Sequence, residues 1–153
     1  MNGSRCPHQI LWARGDVKRL AMIVTKGSLN NLLQACELAR LAAGHGTRVS
    51  VLFRDEAAGR LTLERVKEIP FSDGYKGRES RVRERLREQK RIDLRSRLRD
   101  MKETGDVKLT VCRESLDLFE VEVEQLIPEL DEVQTAEAFW KEAVTTADQV
   151  LTF

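Results

Sequence analysis

The sequence is poor in the residues that build staples, metal cages and stacking platforms. Its 153 residues hold three cysteines and two histidines. Cys6, Cys36 and Cys112 are an odd number with no metal-type spacing, which excludes a disulfide framework and a zinc ribbon and suits a reduced, cytoplasmic protein. His8 and His45 are too few for a Ser/His/Asp set or a metal site, and no GxGxxG, Walker or HExxH pattern occurs, so no metal and no organic cofactor is expected. No apolar run approaches the roughly 20 residues of a membrane span. Residues 1–15, with Arg5, Pro7, His8 and Arg14 around the short patch Ile10-Leu11-Trp12, lack the apolar segment of a signal peptide. Residues 1–16 read as a flexible arm, and Trp12 as a contact for its own chain or for a partner subunit.

Charge is plentiful and unevenly placed. The formal net charge is +1, made of +4 over residues 1–75, +7 over 76–102 and −10 over 103–153. A basic segment followed by an acidic third invites self-association or a charged protein partner. The basic helical segment, 76–103, contains no aromatic side chain and interleaves Glu79, Glu84 and Glu88 with its arginines. That pattern favours a solvated, salt-bridged face over a nucleic-acid grip.

Hydrophobic periodicity alternates between strands and helices. Lys18 to Thr25 reads as a doubly buried strand, followed by the turn Lys26-Gly27-Ser28 and a helix capped by Ser28. Leu32, Leu33, Cys36, Ala39 and Ala43 form the helix's apolar stripe, widened by Leu38 and Leu41, and Gly44-His45-Gly46 ends it. Cys36 lies on that stripe and reads as core packing. Arg48 to Phe53 is a second strand, which completes a βαβ unit and brings Arg54 to the same end of the sheet as Lys26 and Ser28. A helix over Leu61 to Glu68, a loop to Gly77, and two helices broken near Arg91 with Asp93 capping the second complete the middle. After a strand over 107–112 come two short helical pieces in 116–127 and an edge strand in 131–134. A helix capped by Thr135 follows, with the face Ala136, Phe139, Trp140, Ala143, Val144 and Ala147, and then a last strand, 149–153. The sum is one three-layer α/β domain, residues 17–153, with a mostly parallel sheet of four or five strands.

Val107 to Ser115 carries the chemistry. Its β-branched run leads into Cys112, and Arg113, Glu114 and Ser115 open a helix, so the cysteine sits where a buried parallel strand ends, the face on which open α/β sheets collect ligands. Helix N–H groups and the Arg113 guanidinium would favour the thiolate, the nucleophilic form, and an accessible sulfur is expected.

The stretches MIVTKGSLNNLLQACELARLAAGHGTRVSVLF, DVKLTVCRESLDLF and ADQVLTF resemble the DsrE/DsrF-like sulfur-relay family, sometimes labelled peroxiredoxin-like. The TKGSL turn and the C-x-x-S-L-D segment at Cys112 are the most specific parts of the likeness. It implies a YchN-like sheet, a homo-oligomer of trimer or higher order, and a sulfurtransferase role in which Cys112 holds sulfane sulfur as a persulfide. Sulfur-donor and sulfur-acceptor proteins, rhodanese-like or small sulfur carriers, would be the partners, with neither nucleic acid nor membrane involved. Lys26, Ser28, Arg54, Arg113 and Ser115 are expected to line the cysteine by loop position. The chain departs from the family at Glu120, where glycine is usual, and over Glu129 to Gln134, which replaces a glycine-containing strand. Two rival readings follow from the residues: a thiol peroxidase or redox sensor with Cys36 or Cys6 as resolving cysteine, and a non-catalytic assembly module.

Overall fold

The computed structural model describes residues 17–153; the expected arm, with Cys6 and Trp12, lies outside them. Five strands, β1 (Arg19–Val24), β2 (Arg48–Phe53), β3 (Val107–Cys112), β4 (Glu132–Gln134) and β5 (Gln149–Thr152), form one all-parallel sheet in the order β4-β3-β2-β1-β5. The expectation of an α/β fold with a parallel sheet therefore holds. The helices are α1 (Leu29–Gly44), α2 (Asp55–Arg60), α3 (Glu79–Glu88), α4 (Leu94–Thr104), α5 (Arg113–Leu118) and α6 (Ala136–Phe139), the last running on as a π-helical turn over Trp140–Val144.

Side chains alternate across each strand, so the sheet has two distinct faces. The first carries Leu20, Met22 and Val24 of β1, Val49, Val51 and Phe53 of β2, and Val107, Leu109 and Val111 of β3. Helices α1, α2, α4 and α5 cover it and form the main core. The second carries Ala21, Leu52 and Cys112, packed against Phe139 with Ile23, Ala136, Ala143, Val144 and Ala147 around them. One helix and its π extension cover that face, and they leave its amino-terminal half partly open.

Local chemistry accounts for several boundaries. Asp93 caps α4 as expected, its carboxylate accepting from the Arg95 N–H at 3.1 Å, and the Thr135 hydroxyl caps α6 by accepting from the Ala138 N–H at 3.1 Å. Ser28 has the extended N-cap conformation, but its side chain makes no cap bond. Gly27 is required by space: a Cβ there would lie 2.8 Å from the Glu56 carbonyl oxygen.

Three expectations are corrected. No helix spans Leu61 to Glu68. The helix forms earlier, as α2, while Thr62 bridges Leu126 and the backbones of Leu61 and Leu63 bond Ile127 and Gln125, which leaves only a 3-10 turn at Arg65–Lys67. Leu38 and Leu41 are exposed at the edge of the α1 stripe. Trp140 is 58% exposed: it follows Phe139 directly, about 100° further round the helix, and of the two only Phe139 packs on the second face. Glu120 has φ 52°, a left-handed backbone that glycine adopts at less cost.

Candidate functional site around Cys112

The carboxyl ends of β1, β2 and β3 converge on one edge of the molecule. Cys112 is the last residue of β3 and the N-cap of α5, in extended conformation. Its side chain faces the second layer and is fully buried, at 0% exposure. The accessible sulfur expected from sequence is absent, because Phe139 and its apolar neighbours close over it. Among the described residues the thiol makes one polar side-chain contact, a hydrogen bond donated to Glu114 Oε2 at 3.2 Å.

Glu114 is the site residue that the sequence reading passed over. Standing two residues past the cysteine, in the first turn of α5, it folds back over the strand end, and its carboxylate also accepts from the Ala136 N–H, 3.2 Å from each oxygen. One carboxylate therefore ties the end of β3 to the start of α6. Its own backbone N–H and the Cys112 thiol hold it below the usual carboxylate range, with Ala136 N–H and the Arg54 charge adding to the pull. Glu114 is itself exposed, so the sulfur lies one side chain from solvent. The C-x-E spacing at a strand-to-helix junction was the available signal.

The other expected residues divide into two groups. The Ser115 hydroxyl, buried, accepts from the Asp55 N–H at 2.8 Å and so locks the β2 end to α5. Asp55 sits at φ 49°, which puts the Arg54 turn within electrostatic reach of Glu114. Lys26 and Ser28 belong to the neighbouring loop, where the Gly27 N–H donates to Glu56 Oε2 at 3.3 Å. Arg113 points to solvent. None of Lys26, Ser28 and Arg113 has a recorded side-chain contact with Cys112 or Glu114 among the described residues.

Cys36 is also buried, on α1 and thus on the opposite side of the sheet, and desolvation pushes its thiol up to about 12 against a smaller opposing pull from Arg97. With the sheet between them, Cys36 cannot resolve an oxidised Cys112. No group of three metal-ligating side chains occurs among the described residues. No helix among them is long and apolar enough to cross a membrane.

A single parallel sheet with a cysteine at the end of its interior strand β3, sealed by a carboxylate, defines an α/β protein of the DsrE-like fold. The chain belongs to the DsrE/DsrF/DrsH-like family, which it matches over residues 52–151. Its fold is similar to that of MTH1491 from Methanobacterium thermoautotrophicum, a protein of unknown function, with a TM-score of 0.54 and 11% identity over 88% of this chain and 98% of that one. No curated protein matches the sequence.

Proposed function

We propose that this protein is a sulfur-relay subunit in which Cys112 accepts a sulfane sulfur atom from a donor protein and passes it to an acceptor. The observation that carries the reading is the position of the Cys112 sulfur, at the carboxyl end of an interior parallel strand and hydrogen-bonded to Glu114 at 3.2 Å. Family membership supports the same chemistry in general terms.

The transfer balances without a cofactor. The Cys112 sulfur attacks the outer sulfur of a donor persulfide, R–S–S–H; the donor S–S bond breaks as the new one forms, and the products are Cys112–S–S–H and R–S–H. No net oxidation occurs, and the route is that of thiol–disulfide exchange. The Cys112 thiol proton is lost as its sulfur attacks, and the departing donor thiolate takes up a proton to become R–S–H. Glu114 must swing aside for the donor to reach the sulfur, so at rest the cysteine is protected from stray oxidants. A docked partner that engages the Ala136 side of the carboxylate would open the site.

The donor and acceptor are rhodanese-like or small carrier proteins in a reducing, cytoplasmic setting, and the working unit is a homo-oligomer of three or more copies. A peroxidase reading is disfavoured by the placement of Cys36 behind the sheet. Cyanolysis tests the proposal. After incubation with a persulfide-loaded donor and desalting, the wild-type chain is expected to release thiocyanate, whereas Cys112→Ser releases none. Equal release from both proteins would overturn the assignment.

A further inference from the structure

We propose that the cleft between the amino-terminal half of the sheet's second face and helix α6 binds a small oxyanion that carries its own proton, with hydrogen phosphate as the type ligand. The cleft, of about 190 Å³, is floored by Arg19, Arg48, Ser50, Lys108 and Thr110, and Glu142 stands on its wall. It is separate from the sulfur chemistry: Cys112 does not line it, and its test involves no sulfur.

The charge arrangement is the first argument. Arg19 and Arg48 are direct partners across the β1–β2 pair, and like charges directly opposite one another on neighbouring strands destabilise a sheet. Lys108 follows on the next strand, beside Ser50. Two of these cations are compensated within the chain, Arg48 by Asp106, with Nε donating at 2.8 Å, and Lys108 by Glu132. Arg19 is different. Its backbone N–H donates to Asp148, but its guanidinium has no ion pair among the described residues, and its planar fork of N–H groups is suited to two oxygens of a tetrahedral anion.

The second argument comes from the hydroxyls. Thr110 is 1% exposed and its hydroxyl has no hydrogen-bond partner; native structures seldom leave such a group unmatched without a ligand or water to meet it. The Ser50 hydroxyl, on the same face of the neighbouring strand and two residues nearer its amino end, likewise has no side-chain hydrogen bond among the described residues. Both can donate to an oxyanion.

The wall decides which oxyanion. Glu142 accepts from Gln134 Nε2 through Oε2 at 2.7 Å, and its Oε1 has no partner among the described residues. A carboxylate in the cleft repels a fully deprotonated anion and accepts a hydrogen bond from a protonated one. At neutral pH hydrogen phosphate keeps a proton that sulfate has lost. The site therefore prefers phosphate.

Titration of the full chain with inorganic phosphate, and separately with sulfate, at fixed ionic strength and with backbone amide NMR as the readout, tests the assignment. Saturable shifts centred on residues 19, 50, 108, 110 and 142 are expected with phosphate, and binding at least tenfold weaker with sulfate. Arg19→Ala, at an exposed position, is expected to weaken phosphate binding by about tenfold or more, the scale of a lost charge-assisted pair. Glu142→Gln is expected to bring sulfate within about threefold of phosphate, since it removes the repulsion and keeps a polar wall. Non-saturating shifts, sulfate binding as tight as phosphate in the wild type, or phosphate binding unchanged in Arg19→Ala would each overturn the proposal. So would a phosphate-insensitive oligomer that Arg19→Ala dissociates, since the cleft would then receive a protein carboxylate.

Discussion

The Cys112 sulfur and the Glu114 carboxylate are 3.2 Å apart, and that side chain, held by the Ala136 N–H, stands between the sulfur and solvent. Glu114→Gln keeps the shape and removes the charge. Alkylation of Cys112 by iodoacetamide near neutral pH is expected to rise about tenfold in this variant, the change that about 1.4 kcal/mol produces, because losing the charge-assisted hold on the Ala136 N–H lets the cover open more often. A rate equal to or below that of the wild type would show that Glu114 neither guards nor restrains the sulfur. Glu120 makes a second prediction at this scale. It holds φ 52°, a region costing roughly 1 kcal/mol or more for a residue with a Cβ, so Glu120→Gly is expected to raise stability by about 0.5–1 kcal/mol in urea unfolding.

At the scale of elements, the βαβ start and the β3–α5 junction were legible because strong signals coincide there: continuous apolar runs, glycine-punctuated turns and a 3.6-residue stripe. The α3–α4 break was legible for a different reason, Asp93 being a cap with a mechanism. What could not be read depended on tertiary partners. Leu61 and Leu63 look helical in isolation, yet the Ile127 and Gln125 backbones claim their polar groups. Phe139 and Trp140 are adjacent, about 100° apart round a helix, and only the tertiary fold decides that Phe139 is the one to meet Ala21, Leu52 and Cys112. The thiol's burial was invisible for the same reason, since Phe139 lies 27 positions further along the chain and arrives on the second face only through the last crossover.

Helix α4 shows what the basic segment does. Glu129, buried, accepts from Arg95 Nε at 3.0 and 3.1 Å and from Arg99 at 2.7 Å, while Lys102 donates to its carbonyl and pairs with Asp131. The basic and acidic thirds of the sequence are thus matched in part within one chain. Burial acts most strongly on Glu129 and opposes its charge, but Arg95, its own backbone N–H and Arg99 together leave it below the usual carboxylate range. Because both arginines remain partly solvated, Glu129→Gln is expected to cost about 2 kcal/mol, the low end for charge-assisted bonds, as read by the urea midpoint.

At the scale of the whole molecule, Glu37, Glu114 and Glu129 are all held below their ordinary values, Glu37 first of all by its hydrogen bond from Arg40. A carboxylate lowered in the folded state adds stability that is fully present above its unfolded value, near pH 4.3, and lost as pH falls through the folded one. The melting temperature is therefore expected to hold from about pH 7 to 5 and to fall steeply below about pH 4. In Glu129→Gln the acid-induced drop is expected to be smaller. An acid limb identical to that of the wild type would remove Glu129 from the set.

The two-faced sheet also organises the chemistry. One face holds the core and the inert Cys36; the other holds Cys112, thinly covered by α6, with the cationic cleft further down the same strands. The most direct test is intact-protein mass spectrometry after loading with a persulfide donor, followed by peptide mapping, on the wild type and on Cys112→Ser. The account predicts a gain of one sulfur mass that reductant reverses, that maps to the peptide containing Cys112 and that vanishes in the variant. A gain that maps to Cys36 or Cys6, or that survives in Cys112→Ser, would contradict it.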